Sequence, residues 1–84
     1  MRPRTEGWDK WVRALKTGDL VTVRYAHTDR TIFHVRVRVT KTGRVLLANH
    51  GRDRRDWSRG VVSLPGGGER YISPAPNGAE EGIA

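Results

Sequence analysis

At 84 residues and without a cysteine, the chain has room for one domain around one small core, and neither a disulfide nor a thiolate-bound metal can staple it. Lys and Arg number 16 against 9 Asp and Glu, a formal net charge of +7, and no apolar run approaches the roughly 18 residues that a membrane span needs. Arg2 and Arg4 are not followed by the apolar stretch of a signal peptide, so a cytoplasmic protein is expected.

In chain order, the first predicted element is a helix over about 8–16. Thr5 and Glu6 suit a cap and a first turn, and Trp8, Trp11, Val12 and Leu15 fall at i, i+3, i+4 and i+7, one helical face. Gly18 then supplies a C-terminal stop. The stripe is aromatic and aliphatic, which lays the helix across one face or the open end of a sheet. That spacing accounts for both tryptophans without a ligand stacked on either.

Five extended segments follow. Residues 20–26 form the first strand and 27–30 a polar connection. Over 31–40, Phe33, Val35, Val37 and Val39 take every second place, with His34, Arg36 and Arg38 between them. Strand side chains point alternately to opposite faces, so this second strand has one apolar and one cationic face. A tight turn around Thr42 and Gly43 leads into a third strand at 44–49, making a hairpin. Beyond a charged loop lie a fourth strand at 61–64, stopped by Pro65 and three glycines, and a short fifth strand at 69–73 on the sheet edge. The single domain thus covers 1–73, and the small, polar, acidic stretch 74–84 reads as a disordered tail.

Sequentially adjacent short strands favour a mainly β fold: an antiparallel sheet bent into a small five-stranded barrel with one short N-terminal α-helix, since closure removes exposed edges. The element order resembles the SH3-like and Sm-like small barrels. Gly18-Asp19-Leu20-Val21-Thr22-Val23 is similar to the opening of a KOW-type barrel. The runs Val21-Thr22-Val23-Arg24-Tyr25, Gly43-Arg44-Val45-Leu46-Leu47-Ala48 and Trp57-Ser58-Arg59-Gly60-Val61-Val62-Ser63-Leu64 resemble the Sm-like barrel of WYL domains. Absent are the WYL tripeptide, the helix-turn-helix region that usually precedes it, and the basic glycine-rich loop of a complete KOW motif. The resemblance implies a barrel that binds nucleic acid or nucleotide, and being a likeness of fold it speaks to architecture before function.

The position of the charge narrows this further. Between Arg24 and Arg59 lie ten Arg or Lys against three acids, while the rest of the chain carries six against six. Thirteen of the sixteen cations are arginine, whose planar fork suits bidentate contact with phosphate or guanine. Drift in a GC-rich genome accounts for arginine over lysine but not for the clustering. On the sheet the candidates for binding are Arg24, Arg36, Arg38, Lys41 and Arg44. In the glycine-bounded loop 51–60 they are Arg52, Arg54, Arg55 and Arg59, with Trp57 able to stack on an exposed base or ribose. The same loop also reads as Arg–Asp pairs in solvent, with Trp57 turned inward to plug the barrel.

Signs of catalysis are weak. His27, His34 and His50 with Asp29, Asp53 and Asp56 match no compact metal site, and the aspartates sit among arginines that would pair with them. Ser58, Ser63 and Ser73 lack a nucleophile elbow, and Gly66-Gly67-Gly68 lacks the lysine of a phosphate loop and reads as a hairpin turn. No enzyme, cofactor or metal is expected. The leading expectation is a module that binds DNA or RNA through backbone phosphates with little sequence specificity, because no recognition helix is evident. The alternative is a protein–protein adaptor or inhibitor from a phage or other mobile element, setting the same face against an acidic protein surface. A further expectation is a homo-oligomer paired through valine-rich edges.

Overall fold

The computed structural model describes residues 5–48 and 54–83. Helix α1 spans Glu6–Arg13, followed by β1 Leu20–Tyr25, β2 Thr31–Val39, β3 Val45–Leu47, β4 Val61–Ser63, β5 Glu69–Pro74 and β6 Gly82–Ile83. Thr5 caps α1 as expected: its backbone is extended and its hydroxyl accepts the Trp8 N–H at 3.1 Å. Glu6 and Asp9 in the first turn and Arg13 in the last complement the helix dipole. The helix nonetheless ends earlier than its periodicity suggested. Leu15 is drawn into the core, and the Asp19 carboxylate takes the Lys16 N–H at 2.8 Å, so the chain turns away after Ala14. Gly18, at φ +97°, therefore does not cap the helix; it turns the chain into β1 and donates its N–H to the Val37 carbonyl.

Strands β1 to β5 form an antiparallel, curled half-barrel in the order β3-β2-β1-β5-β4. The β2–β3 hairpin turns where expected, with Gly43 at φ +85° and its N–H on the Thr40 carbonyl. The glycines 66–68 likewise turn β4 into β5, the Leu64 N–H reaching the Gly68 carbonyl at 2.9 Å. Strand β5 departs from expectation: it lies between β1 and β4, and its Tyr71, Ile72 and Ser73 are all buried. The stretch after Ser73 departs as well. Over its described part it carries β6, which pairs Gly82 with His34 and a backbone partner at 83 with Phe33 on β2.

The two ends of the sheet, β3 and β4, would close the barrel if they met. The segment before β4 lies along β3 instead: the Trp57 N–H donates to the Val45 carbonyl at 2.8 Å, and Asp56 accepts the Val45 N–H at 3.2 Å. The core gathers on the concave side from Val21 and Val23 of β1, Val35 and Val37 of β2, Val45 and Leu47 of β3, and Ile72 of β5. Val62 of β4 joins them, and Trp8, Val12, Leu15 and Trp57 complete it. A buried tryptophan removes roughly 150–250 Å² from water, about 4–6 kcal/mol before entropic losses, so two of them matter greatly to so small a core. Among the described residues, no helix is long and apolar enough to cross a membrane.

Candidate functional site

Strand register decides which candidate residues share a surface. Val21 lies across from Val35 and Leu20 from Arg36, so Val21, Val23, Val35 and Val37 face the core while Leu20, Thr22, Arg24, His34, Arg36 and Arg38 face outward. Across the hairpin, Arg38 lies opposite Leu46, and the Thr40 N–H bonds the Arg44 carbonyl, which puts Arg44 on the same outer face. The alternation of β2 is strict over Val35–Arg38, buried, exposed, buried, exposed. It fades toward Thr31, where every side chain is half-buried.

The outer face divides into a dry half and a wet half. The dry half is a polar cluster that the sequence did not reveal. Thr22 is wholly buried and its hydroxyl lies 2.8 Å from Nδ1 of His34. Arg24 donates from Nε to the buried Ser73 hydroxyl at 3.2 Å and from a terminal nitrogen to the Asp29 carbonyl at 2.9 Å. Tyr71 donates its hydroxyl to the Asp29 carboxylate at 2.7 Å. Asp29, at φ +58°, is held in the left-handed region by these contacts. Arg24 thus ties the β1–β2 loop to β5, and its guanidinium is engaged within the protein. Beside this cluster, the Arg70 guanidinium lies over the exposed Tyr25 ring at 5.5 Å.

The wet half is the β2–β3 hairpin. Arg36, Arg38, Lys41 and Arg44 are exposed there. Arg36 donates from a terminal nitrogen to the Gly18 carbonyl at 2.6 Å, whereas Arg44 reaches the Arg54 carbonyl at 3.4 Å and so joins the incoming loop to the hairpin. Arg38, Lys41 and Arg44 meet no carboxylate within 4 Å among the described residues. Of the two loop acids read as arginine partners, Asp53 lies outside the described residues and Asp56 is turned onto the backbone. One Asp56 oxygen accepts the N–H groups of Val45 and Ser58. Burial pushes the Asp56 carboxyl upward, but the Ser58 and Val45 N–H groups, the Ser58 hydroxyl and the charge of Arg44 outweigh it, and the net shift is downward.

The loop candidates do not all reach this surface. Arg54 is exposed beside Arg44, and Arg55 is half-buried and engaged. Arg59 lines a groove of about 350 Å³ with Asp9, Val12, Arg13 and Ser58, on the flank of α1. Trp57 is 1% exposed in the core, so its indole plugs the half-barrel and offers no face to a base. Arg52 lies outside the described residues. Among those described, no three His, Asp or Glu side chains gather as metal ligands. No family model, no curated protein and no solved structure matches this chain.

Proposed function

We propose that the chain is a small non-enzymatic module that binds nucleic acid, holding the phosphate backbone against the outer face of the β2–β3 hairpin with little reading of base sequence. The observation that carries this is the set Arg38, Lys41 and Arg44, exposed on one hairpin and without a carboxylate partner among the described residues. Arg54, drawn alongside by Arg44, extends the set. Cationic side chains with no carboxylate in direct contact, held on a firm sheet, suit phosphates spaced along a strand, because each contact releases condensed counterions. A half-barrel whose open ends are β3 and β4 is also compatible with a small SH3-like or Sm-like barrel, a fold-level analogy that agrees with this class of ligand.

The test is a salt titration of binding to single- and double-stranded DNA and RNA of matched length. With about four phosphate contacts, affinity should fall roughly a hundredfold between about 50 and about 200 mM salt. Reversing Arg38 and Arg44 to glutamate should abolish binding while the fold persists. A flat dependence on salt would refute the reading. Recovery of a defined acidic protein after nuclease treatment, with bare nucleic acid bound no better than heparin, would put the adaptor reading in its place.

A further inference from the structure

Strand β2 exposes an edge that two separate pieces of chain share. Strand β3 covers it over Val37–Val39, and β6 covers it at Phe33 and His34, so the pieces lie end to end in one row. Between them the Arg36 carbonyl is met by the Ala48 N–H at 2.8 Å, but among the described residues no main-chain carbonyl of the row meets the Arg36 N–H. A side chain does so instead: Oε1 of Glu81 accepts it at 3.3 Å. The connection from β5 to β6 has to cross β1 and β2 to bring Glu81 there, since β5 lies on the far side of β1. Residues 75–84 contain two acids, Glu80 and Glu81, and no Lys or Arg.

From this arrangement we propose that residues 75–83 form an acidic strap that competes with nucleic-acid phosphate for the hairpin surface. The inference rests on the nucleic-acid reading above and adds its regulation. The strap places a carboxylate on the main-chain N–H of Arg36, on the strand that carries the Arg36 and Arg38 side chains and within the chain's positive excess. Its hold is weak by construction. Strand β6 has two residues, one of them Gly82 without a side chain, and the Glu81 contact is exposed. A cover held by so few bonds opens readily, and a polyanion approaching Arg36 and Arg38 adds repulsion against Glu80 and Glu81. Bound strand and bound strap therefore exclude one another by charge, and the strap sets a threshold affinity.

Two variants test this with a fluorescein-labelled oligonucleotide, single-stranded and as duplex. The Glu80→Gln, Glu81→Gln double variant keeps the backbone of β6, and a chain ending at Ala79 removes the strap. Both should bind roughly two- to tenfold more tightly than the parent at low salt, and the gain should shrink as salt rises. In the parent, the Arg36 amide should exchange with solvent faster in the complex than in the free protein. Unchanged affinity in both variants, with Arg38→Glu, Arg44→Glu still abolishing binding, would overturn the strap and leave the nucleic-acid reading intact. Failure of every variant and the parent to bind would overturn both.

Discussion

Gly60 is the position where one atom should matter most. Its φ is +78°, and a Cβ there would collide with Cη2 and Cζ2 of the Trp8 indole and stand 3.1 Å from Cγ2 of Val12. The ring cannot easily step aside, because it is buried and its Nε1 donates to the Ile72 carbonyl at 2.8 Å. Left-handed strain accounts for about 1–2 kcal/mol and overpacking for about 1–3, so Gly60→Ala should destabilise by roughly 2–5 kcal/mol. A chain of 84 residues has on the order of 4–13 kcal/mol in all. Gly43 is the control: its φ is +85°, yet nothing lies within 4 Å of a Cβ there. Gly43→Ala should therefore show the strain alone, about 1–2 kcal/mol, and the loss of unfolded-state entropy is common to both variants. Urea denaturation followed by circular dichroism measures the difference. Equal losses at the two sites would mean that Trp8 does not pack against Gly60, and with it the docking of α1 on the start of β4 would fall.

Thr5→Ala removes the hydroxyl that accepts the Trp8 N–H and should cost about 1 kcal/mol in the same denaturation assay. Trp57→Phe should lower stability by about 1–3 kcal/mol through packing alone, because the buried Nε1 has no partner to lose among the described residues. Its affinity for oligonucleotides should equal the parent's, and a fully folded variant with weakened binding would show that the indole meets a ligand. Asp56 supplies a dependence on pH. Its folded carboxyl is shifted below the unfolded value of about 3.9, so its contribution is present above that value and is lost as pH falls through the folded one. Urea midpoints taken across the acid range should drop less for Asp56→Asn than for the parent, and parallel curves would contradict the hydrogen bonds from Val45 and Ser58.

Local signals made part of this structure legible. The Thr5 cap, the Gly43 turn and the alternation over Val35–Arg38 each depend on residues a few places apart, where backbone geometry and side-chain type decide the outcome. The rest depends on partners far away in sequence. Strand β5 looks like an edge strand until β1 takes it as a neighbour, and Arg24 looks like a surface cation until Ser73 and Asp29 occupy its guanidinium. The candidate surface shows the same division. Period-two alternation placed Arg36 and Arg38 outward, but only the folded loop separates Arg54, beside the hairpin, from Arg59, beside α1. One local signal was there to be read: Asp56 two places before Ser58 is the pattern of a carboxylate turning back onto its own backbone, which argues against an Arg–Asp pair.

This division also decides how the hairpin has to be probed. From sequence alone, Arg36 and Arg38 look equivalent, two outward cations on one strand. In the fold, Arg36 ties β2 to the turn before β1 through Gly18, so Arg36→Glu would mix loss of binding with loss of that tie. Arg38 and Lys41 make no hydrogen bond through their side chains among the described residues, and the Arg44 bond to Arg54 is long and exposed. Surface changes of this kind stay within about 0.5 kcal/mol, and bringing negative charge among unpaired arginines relieves repulsion. Arg38 and Arg44 are therefore the pair whose reversal can remove the surface while leaving the half-barrel standing. Among the described residues the Arg38 side chain meets neither a hydrogen-bond partner nor a carboxylate, and the Arg44 side chain serves the fold only through its long bond to Arg54 and its pull on Asp56. That is the physical ground on which the proposed function sets this pair against a ligand.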